Sequence, residues 1–373
     1  MRVLHFYKTA FPDSMGGVEQ VISQIARGSN KLGVKTDVLS LTQAHVPRTI
    51  EMDGYLAHRA RLNVQIASTG ISASVFLRFA GLAKQADVIH YHFPWPLMDL
   101  VHFASRVKKP TVLTYHSDII RQKHLLKIYR PLKWRFLADM RRIVATSPNY
   151  LASSTVLAKF ANKVSVIPIG LDKASYPFPS AEKLHYWRGR VGAKFYLFVG
   201  VLRYYKGLHI LLEAAQGTDY PIVIVGAGPI EAELKARALK LGLRHIHFLG
   251  FVPDEDKVAL LTMCYGVLFP SHLRSEAFGI SLLEGAMYGK PMISSEIGTG
   301  TTFINIQNQT GLVVPPSDYL ALRKAMKYLW EHPAEAREMG RLAEARYWKH
   351  FTADQMVRSY FDLYSELLSL PPA

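Results

Sequence analysis

The sequence predicts an α/β protein of two doubly wound domains that face each other across a cleft. Short apolar runs alternate with amphipathic stretches along the whole chain, a pattern typical of parallel sheets with helices on both faces. The chain has 373 residues, which is more than one hydrophobic core usually supports. The alternation is interrupted once, between residues 169 and 192, where Gly170, Pro177 and Pro179 stand in a stretch of mixed polarity. This stretch is the predicted linker.

The predicted elements fall into two series, one on each side of that linker. In the first series, strands are predicted at residues 3–7, 35–41, 88–91, 111–115, 143–146 and 164–168, with a helix at 18–32. In the second, strands are predicted at 195–200, 222–225, 247–249, 266–269 and 291–294, with helices at 208–216, 230–241, 255–263, 278–288, 319–331, 334–350 and 353–368. The predicted domains are therefore 1–170 and 171–352, and the last segment, 353–373, is a helix that packs back on the first domain.

The charge of the chain requires an anionic partner. Lysine and arginine number 45 against 29 acidic residues, a net charge of +16, and no nucleic-acid-binding motif accompanies this excess. Part of the excess lies between residues 121 and 142, interleaved with apolar side chains, as in a surface helix pair that touches anionic lipid. A solvated basic face on a core-packed helix fits equally well. The predicted membrane-facing residues are Lys123, Lys127, Arg130, Lys133 and Trp134.

Cysteine usage and hydropathy predict an intracellular protein. Cys264 is the single cysteine, so no intrachain disulfide can form, which fits a reducing compartment. The apolar run at the N-terminus reaches Lys8 too soon for a signal peptide, and no apolar run is long enough to span a bilayer.

Two glycine-rich turns follow predicted strands. Gly16 and Gly17 precede the first helix, where backbone amides and the helix N-terminus favour an anion, although a simple tight turn is as good an interpretation. Gly226 and Gly228 lack the third glycine and the acidic residue of a dinucleotide fingerprint. A nicotinamide cofactor is therefore not expected.

Two sets of residues raise the question of a metal. His90 and His92 lie on one face of a strand, but without a third ligand nearby they make a poor zinc site. The acidic run at residues 254–256 follows Pro253 and leads into a helix, so these acids are expected to cap that helix and favour its dipole. No metal site is predicted.

Two further sites lie where predicted strands end. His116 follows the strand at 111–115, so its side chain would point into the cleft. Arg203 and Lys206 lie in a strand-to-helix turn, where they would meet phosphate oxygens unless the turn is simply basic.

The most specific feature is a pair of glutamates around one helix start. Glu276 precedes the helix, and Glu284 lies two turns along it. The intervening amides, those of Phe278, Gly279 and Ile280, would face an anionic ligand.

With these motifs the chain resembles family four of the retaining nucleotide-sugar glycosyltransferases, which have the GT-B fold of two Rossmann-like domains. The resemblance runs from the Gly-Gly-Val-Glu motif at residues 16–19, through 166–170, to the Glu-x7-Glu pair. The runs at 202–207, 270–279 and 296–301 look like those of bacterial O-polysaccharide mannosyltransferases that use GDP-mannose.

The resemblance implies a role for each candidate residue. His116 would contact the transferred sugar, Glu276 would hold its hydroxyls, and Glu284 would bind the ribose. Arg203 and Lys206 would grip the diphosphate opposite the amides of Gly17, and Gly250 and Phe251 would lie by the base. Val201 stands where the family has an arginine, so Arg203 would reach the phosphates from two residues further on.

The implied reaction keeps the anomeric configuration and needs no metal or cofactor, with the departing diphosphate taking the acceptor proton. The acceptor would be a polyprenyl-diphosphate-linked oligosaccharide of lipopolysaccharide O-antigen, on the inner face of the cytoplasmic membrane. Alternatives within the fold are a GDP-rhamnose or other hexose donor, and an enzyme that makes or breaks a phosphorylated disaccharide. An alternative of another class is a non-catalytic scaffold that retains a nucleotide-sugar cleft, which would predict degraded motifs.

Overall fold

The computed structural model describes residues 1–44, 46–66, 69–119 and 123–371. For residues 66 and 123–127 it describes the backbone alone. The chain divides into two compact units. One comprises Met1–Leu171 together with Ala353–Ala373, and the other comprises Asp172–Thr352. The predicted boundaries, after residues 170 and 352, fall within one residue of these.

The first unit is built on an eight-stranded sheet. In space its strands follow the order β10-β9-β8-β7-β1-β2-β4-β3, and each pairing is parallel except that of β3 with β4. A separate antiparallel pair is formed by β5 and β6. The strands are β1 (Arg2–Phe6), β2 (Lys35–Thr42), β3 (Thr49–Met52), β4 (Tyr55–Arg61), β5 (Val64–Ile66), β6 (Thr69–Ile71), β7 (Val88–Phe93), β8 (Thr111–Tyr115), β9 (Arg142–Ala145) and β10 (Val164–Val166).

Helices connect these strands. They are α1 (Gly17–Lys31), α2 (Ser74–Gln85), α3 (Pro96–Ala104), α4 (Lys123–Asp139), α5 (Pro148–Ser153) and, from the end of the chain, α14 (Ala353–Ser369). The central strands β1, β7 and β8 are almost wholly buried because helices cover the sheet.

The second unit is a six-stranded, wholly parallel sheet in the order β13-β12-β11-β14-β15-β16. Its strands are β11 (Tyr196–Val199), β12 (Ile222–Val225), β13 (Ile246–Gly250), β14 (Gly266–Phe269), β15 (Met292–Ser295) and β16 (Gly311–Val314). Its helices are α6 (Ala181–Val191), α7 (Leu208–Ala215), α8 (Glu231–Lys240), α9 (Asp254–Met263), α10 (Ile280–Met287), α11 (Thr301–Ile304), α12 (Tyr319–Glu331) and α13 (Pro333–His350). This is a doubly wound order.

The predicted strands and helices are confirmed, with ends that differ by at most two residues. The predicted linker is wrong in one respect, because α6 lies inside it. Ser180 starts that helix by accepting a hydrogen bond from the amide of Lys183 at 3.2 Å. The basic segment is also a single helix, α4, with Pro131 inside it, rather than a helix pair.

Membrane-spanning segments were not expected from the hydropathy of the sequence. Within the described ranges, no helix combines the length and the apolar character needed to cross a bilayer.

Candidate active site

In the second unit, the candidate residues gather where the strand order reverses. Strand β11 lies between β12 and β14, so the loops that follow β11 and β14 leave the sheet in a crevice. Lys206 lies in the first of these loops and Glu276 in the second. Parallel α/β sheets bind ligands at the carboxyl ends of their strands, at this kind of position.

Lys206 and Glu276 form a salt bridge through the Lys206 ammonium and Oε2 of Glu276. Both side chains are only 12% exposed, and Ser271 donates a hydrogen bond to the same carboxylate oxygen at 3.2 Å. The ammonium also lies 5.0 Å from the centre of the Phe269 ring. Burial lowers the pKa of Lys206, but Glu276 and Tyr205 outweigh it and the pKa is raised. Lys206 is therefore a cation at neutral pH.

The backbone of this region depends on two glycines. Gly207 has φ +73°, and a Cβ there would lie 2.0 Å from the carbonyl oxygen of Pro270, so the loops after β11 and β14 can approach only at a glycine. Gly279, at φ +102°, is the N-cap of α10. Phe278 is buried, and Ile280 begins the helix.

Glu284 belongs to a second buried network. Its Oε1 accepts a hydrogen bond from the Tyr176 hydroxyl at 2.9 Å and one from Lys257 Nζ at 3.1 Å. Lys257 also pairs with Asp254 at 3.0 Å. Burial lowers the pKa of Lys257, but Glu284 and Asp254 outweigh it and raise the pKa. Tyr176 and Lys257 could not be predicted as site residues, because only the fold brings their segments to Glu284.

Two predicted donor contacts are exposed side chains. Arg203 precedes the helical turn Tyr204–Lys206, and its charge is close enough to act against protonation of Lys206. Phe251 is 79% exposed and follows Gly250, the last residue of β13. Both side chains are therefore accessible to a ligand.

The acidic run before α9 does not cap the helix through a side chain. The N-cap is Pro253, and the three acids occupy the first turn, where the helix dipole favours them. Asp256 binds Lys183 at 2.8 Å and the indole NH of Trp187 at 2.9 Å. Asp254 instead pairs with Lys257, so the two aspartates serve different contacts.

In the first unit, the predicted glycine turn is held by Glu19. Gly16 is the N-cap of α1 and Gly17 its first residue. The Glu19 carboxylate accepts a hydrogen bond from Ser14 at 2.9 Å, and its other oxygen would lie 2.5 Å from a Cβ on Gly16. Glycine at position 16 therefore leaves room for this carboxylate in the first turn, where the helix dipole stabilises it.

An ion pair anchors the same turn to the sheet. Arg59 on β4 donates to Oδ2 of Asp13 at 2.8 Å and to the carbonyl of Pro47 at 3.0 Å. Thr42 donates to Oδ1 of Asp13 at 2.9 Å. Arg59 was not predicted as part of this turn, because a buried arginine interrupts the apolar pattern of its strand.

His116 is the end of a row of buried histidines. It is 6% exposed, and its Nε2 lies 3.0 Å from Nδ1 of His92. Nε2 of His92 lies 3.0 Å from Nδ1 of His5, a residue that was not among the predicted site residues. Burial lowers the pKa of His116 and of His5 to about 3, and that of His92 well below its usual value. All three rings are neutral at physiological pH.

The expectation that no third ligand lies near His90 and His92 is wrong. One ring nitrogen each of His5, His90 and His92 lies within 4.8 Å of the others. However, His90 lies over the face of His92, with centroids 4.3 Å apart and planes 27° apart, so their in-plane lone pairs do not converge. The hydroxyl groups of Tyr364 and Thr114 also lie 2.7 Å from the two ring nitrogens of His90. This arrangement suits a hydrogen-bonded core better than a metal.

The predicted membrane-facing set is corrected at Lys133. Lys133 is only 9% exposed because it lies on the inner side of α4, with its ammonium 5.1 Å from the centre of the Trp134 ring. Burial lowers its pKa. Trp134 is half-buried, whereas Arg130 and Ile128 are exposed. Arg121 and the side chains of Lys123 and Lys127 lie outside the described part of the chain.

Two doubly wound units in one chain are the architecture of the GT-B fold. Solved structures agree with this fold. The sucrose-phosphate synthase of Thermosynechococcus elongatus superposes with a TM-score of 0.83 at 21% identity and 99% coverage of both chains. Anabaena HepE in complex with UDP-glucose superposes with a TM-score of 0.76 at 21% identity, covering 98% of this chain and 100% of that one.

Sequence comparisons identify the family. Residues 15–175 match the profile "Glycosyltransferase Family 4", and residues 187–346 match "Glycosyl transferases group 1". The D-rhamnosyltransferase WbpZ of Pseudomonas aeruginosa is 63% identical, covering 95% of this chain and 93% of its own. O-antigen chain mannosyltransferase C of Escherichia coli is 48% identical over 99% of both. The chain belongs to the GT-B glycosyltransferases of family four.

Proposed function

We propose that the protein transfers mannose from GDP-mannose, with retention of configuration, to a polyprenyl-diphosphate-linked oligosaccharide of O-antigen. The observation that carries this proposal is the Lys206–Glu276 pair at the switch point of the second unit. A 48% identical relative over nearly the whole chain is an O-antigen mannosyltransferase, which supports the choice of sugar and pathway.

The charges of the site suit a diphosphate leaving group. A protonated Lys206 and an exposed Arg203 would neutralise the negative charge that develops on the diphosphate, the task that a metal ion performs in other transferases. Donor binding would draw Lys206 toward the phosphates and free Glu276 for the sugar hydroxyls. Glu284, fixed by Tyr176 and Lys257, would present its carboxylate to the ribose.

A rhamnosyl donor is the second candidate, favoured by the 63% identical D-rhamnosyltransferase. D-rhamnose is mannose without its 6-hydroxyl group, so the two donors share the hydroxyls on the remainder of the ring. A site that hydrogen-bonds the 6-hydroxyl discriminates strongly against the deoxy sugar, because its own polar groups would be left unpaired.

The donor test compares GDP-mannose, GDP-D-rhamnose, UDP-glucose and UDP-N-acetylglucosamine with a lipid-linked acceptor mimic, in the presence of EDTA. We expect transfer from GDP-mannose that EDTA does not reduce and that Glu276→Ala abolishes. Transfer from GDP-D-rhamnose alone would replace mannose by rhamnose and keep the mechanism. Loss of transfer in EDTA would contradict a metal-independent reaction.

We further propose that α4 holds the enzyme on the anionic inner face of the cytoplasmic membrane. Exposed Arg130 and Ile128 would enter the headgroup region. Lys123 and Lys127 belong to the same helix. The triple change of Lys123, Lys127 and Arg130 to Glu should abolish co-sedimentation with vesicles that contain phosphatidylglycerol. The matched control reverses three exposed lysines of the second unit, Lys235, Lys240 and Lys327, and should leave binding intact. Equal loss of vesicle binding in both variants would mean that the net charge of the protein, and not helix α4, determines the binding.

A further inference from the structure

His5, His92 and His116 form a row of hydrogen-bonded imidazoles across three neighbouring strands. His5 lies on β1 and His92 on β7, while His116 directly follows β8, and these strands are adjacent in the sheet. In each contact the nitrogens are 3.0 Å apart, the ring centroids 5.3 Å and the planes 20°. The rings therefore meet edge to edge, nearly in one plane, which suits N–H···N hydrogen bonds.

In a row of hydrogen-bonded neutral imidazoles, the tautomer of one ring determines the tautomers of its neighbours. A neutral imidazole carries one N–H, so one of its nitrogens donates and the other accepts. If His92 donates through Nδ1, then His5 must donate through Nδ1 and His116 must carry its proton on Nδ1 as well. If His92 donates through Nε2, all three rings must be protonated on Nε2. Burial keeps the rings neutral, because it lowers the pKa of each.

His5, at the buried end of the row, shows which of the two tautomer arrangements is favoured. Nε2 of His5 is fully buried and has no hydrogen-bond partner among the described residues. Protonation on Nε2 throughout would leave a buried N–H donor without an acceptor there, whereas protonation on Nδ1 leaves only an unused lone pair. Orphaned buried N–H groups are rarer in proteins than under-used acceptors. The Nδ1 arrangement is therefore favoured.

His116, at the other end of the row, is the ring that a ligand can reach. His5 and His92 are completely buried, and His116 alone keeps a small exposed fraction. Its Nδ1 makes no hydrogen bond within the described part of the chain, since its single polar side-chain contact is Nε2 to His92. The tautomer of His116 therefore sets whether this open edge donates or accepts.

We propose that His92 and His5 are positioning residues that hold His116 with its proton on Nδ1, so that His116 binds its ligand as a hydrogen-bond donor. The ligand atom must then be an acceptor, such as a hydroxyl oxygen of the transferred sugar. The identity of that ligand rests on the proposed function, but the shared tautomer does not.

The test is nitrogen NMR of protein labelled with ¹⁵N-histidine, because Nδ1–H and Nε2–H rings give distinct shift patterns. We expect three Nδ1–H rings that remain neutral from pH 8 to pH 5, one of which disappears in His116→Ala. In His92→Phe, which keeps a flat ring but breaks both bonds, His5 and His116 should lose their fixed Nδ1–H pattern. Tyr364→Phe removes a contact of His90 on the same sheet face and should leave the row unchanged. Nε2–H or mixed tautomers in the unaltered protein would overturn the proposal.

Donor kinetics separate a positioning role from a structural one. His92→Phe should lower kcat/KM for the donor by about threefold to tenfold, the worth of one hydrogen bond. In a His116→Ala background the same change should have no further effect, because His92 acts through His116. Additive losses would overturn the positioning role. If no nucleotide sugar is transferred, the NMR result still decides the tautomer, so failure of the proposed function and failure of this inference are distinguishable.

Discussion

At the scale of single residues, the charged side chains in the site of the second unit are paired with one another. Lys206 and Glu276 neutralise each other, and Lys257 is held between Glu284 and Asp254. The sequence predicted Lys206, Glu276 and Glu284 as separate ligand contacts. It could not predict the pairs Lys206–Glu276 and Lys257–Glu284, because their members lie 70 and 27 positions apart in the chain.

The first prediction concerns the Lys206–Glu276 pair. Lys206→Met should destabilise the protein by about 2 kcal/mol, because it leaves the Glu276 carboxylate largely buried without its cation. Adding Glu276→Gln should restore much of that loss, since a neutral amide costs less to bury. Urea unfolding of the two single variants and the double variant measures this. A double variant as unstable as the sum of the single ones would show that the charges are not coupled.

At the scale of elements, the sequence predicted the apolar strands and the long helices well and the polar elements poorly. Central strands such as β7 and β8 are buried on both sides and rich in β-branched and aromatic residues, which is typical of strands. Strand β4 was missed because it contains the polar residues His58 and Arg59, which meet partners such as Asp37 and Asp13 only once the chain has folded. The same reason hid His5, a polar residue in the middle of a buried strand.

The second prediction concerns the pH dependence of the sheet face made by β1, β7 and β8. His5, His90, His92 and His116 all have a pKa lowered by burial, that of His5 and His116 to about 3. Between pH 6.5 and about 3 the unfolded chain therefore binds protons that the folded chain does not. The free energy of unfolding should receive the full contribution of these histidines above about pH 6.5. Below that pH it should fall by up to about 1.4 kcal/mol per pH unit for each histidine.

Urea unfolding at pH 8, 7, 6 and 5 measures this dependence. The slope between pH 6 and pH 5 should be smaller in His5→Phe, which removes one of the four groups and keeps a ring of similar shape. His185, for comparison, lies on α6 in the second unit, so His185→Phe should leave the slope nearly as it was. A protein equally stable at pH 5 and pH 8 would contradict the neutral, buried state of these rings.

At the scale of the whole molecule, the first unit is built from two separate parts of the chain, one before and one after the second unit. Helix α14 follows the second unit in sequence but packs in the first, where Tyr364 and Tyr360 contact His90 and Thr114 at 2.7 Å. Val357 of the same helix lies against Gly28 of α1, where a Cβ would come within 2.4 Å of it. The first unit is therefore complete only when the end of the chain is present.

The third prediction is that the two units depend differently on this last helix. A chain that stops at Thr352 would expose the side chains that α14 covers and leave His90 and Thr114 without their tyrosine partners. Calorimetry of the shortened chain should show the unfolding transition of the second unit close to its original temperature. The transition of the first unit should be lost or should move to a much lower temperature. Tyr360→Phe with Tyr364→Phe in the full chain should lower only the same transition, and by less, because the apolar face of the helix remains. Equal lowering of both transitions would mean that the units do not unfold separately, and α14 would then stabilise the molecule as a whole.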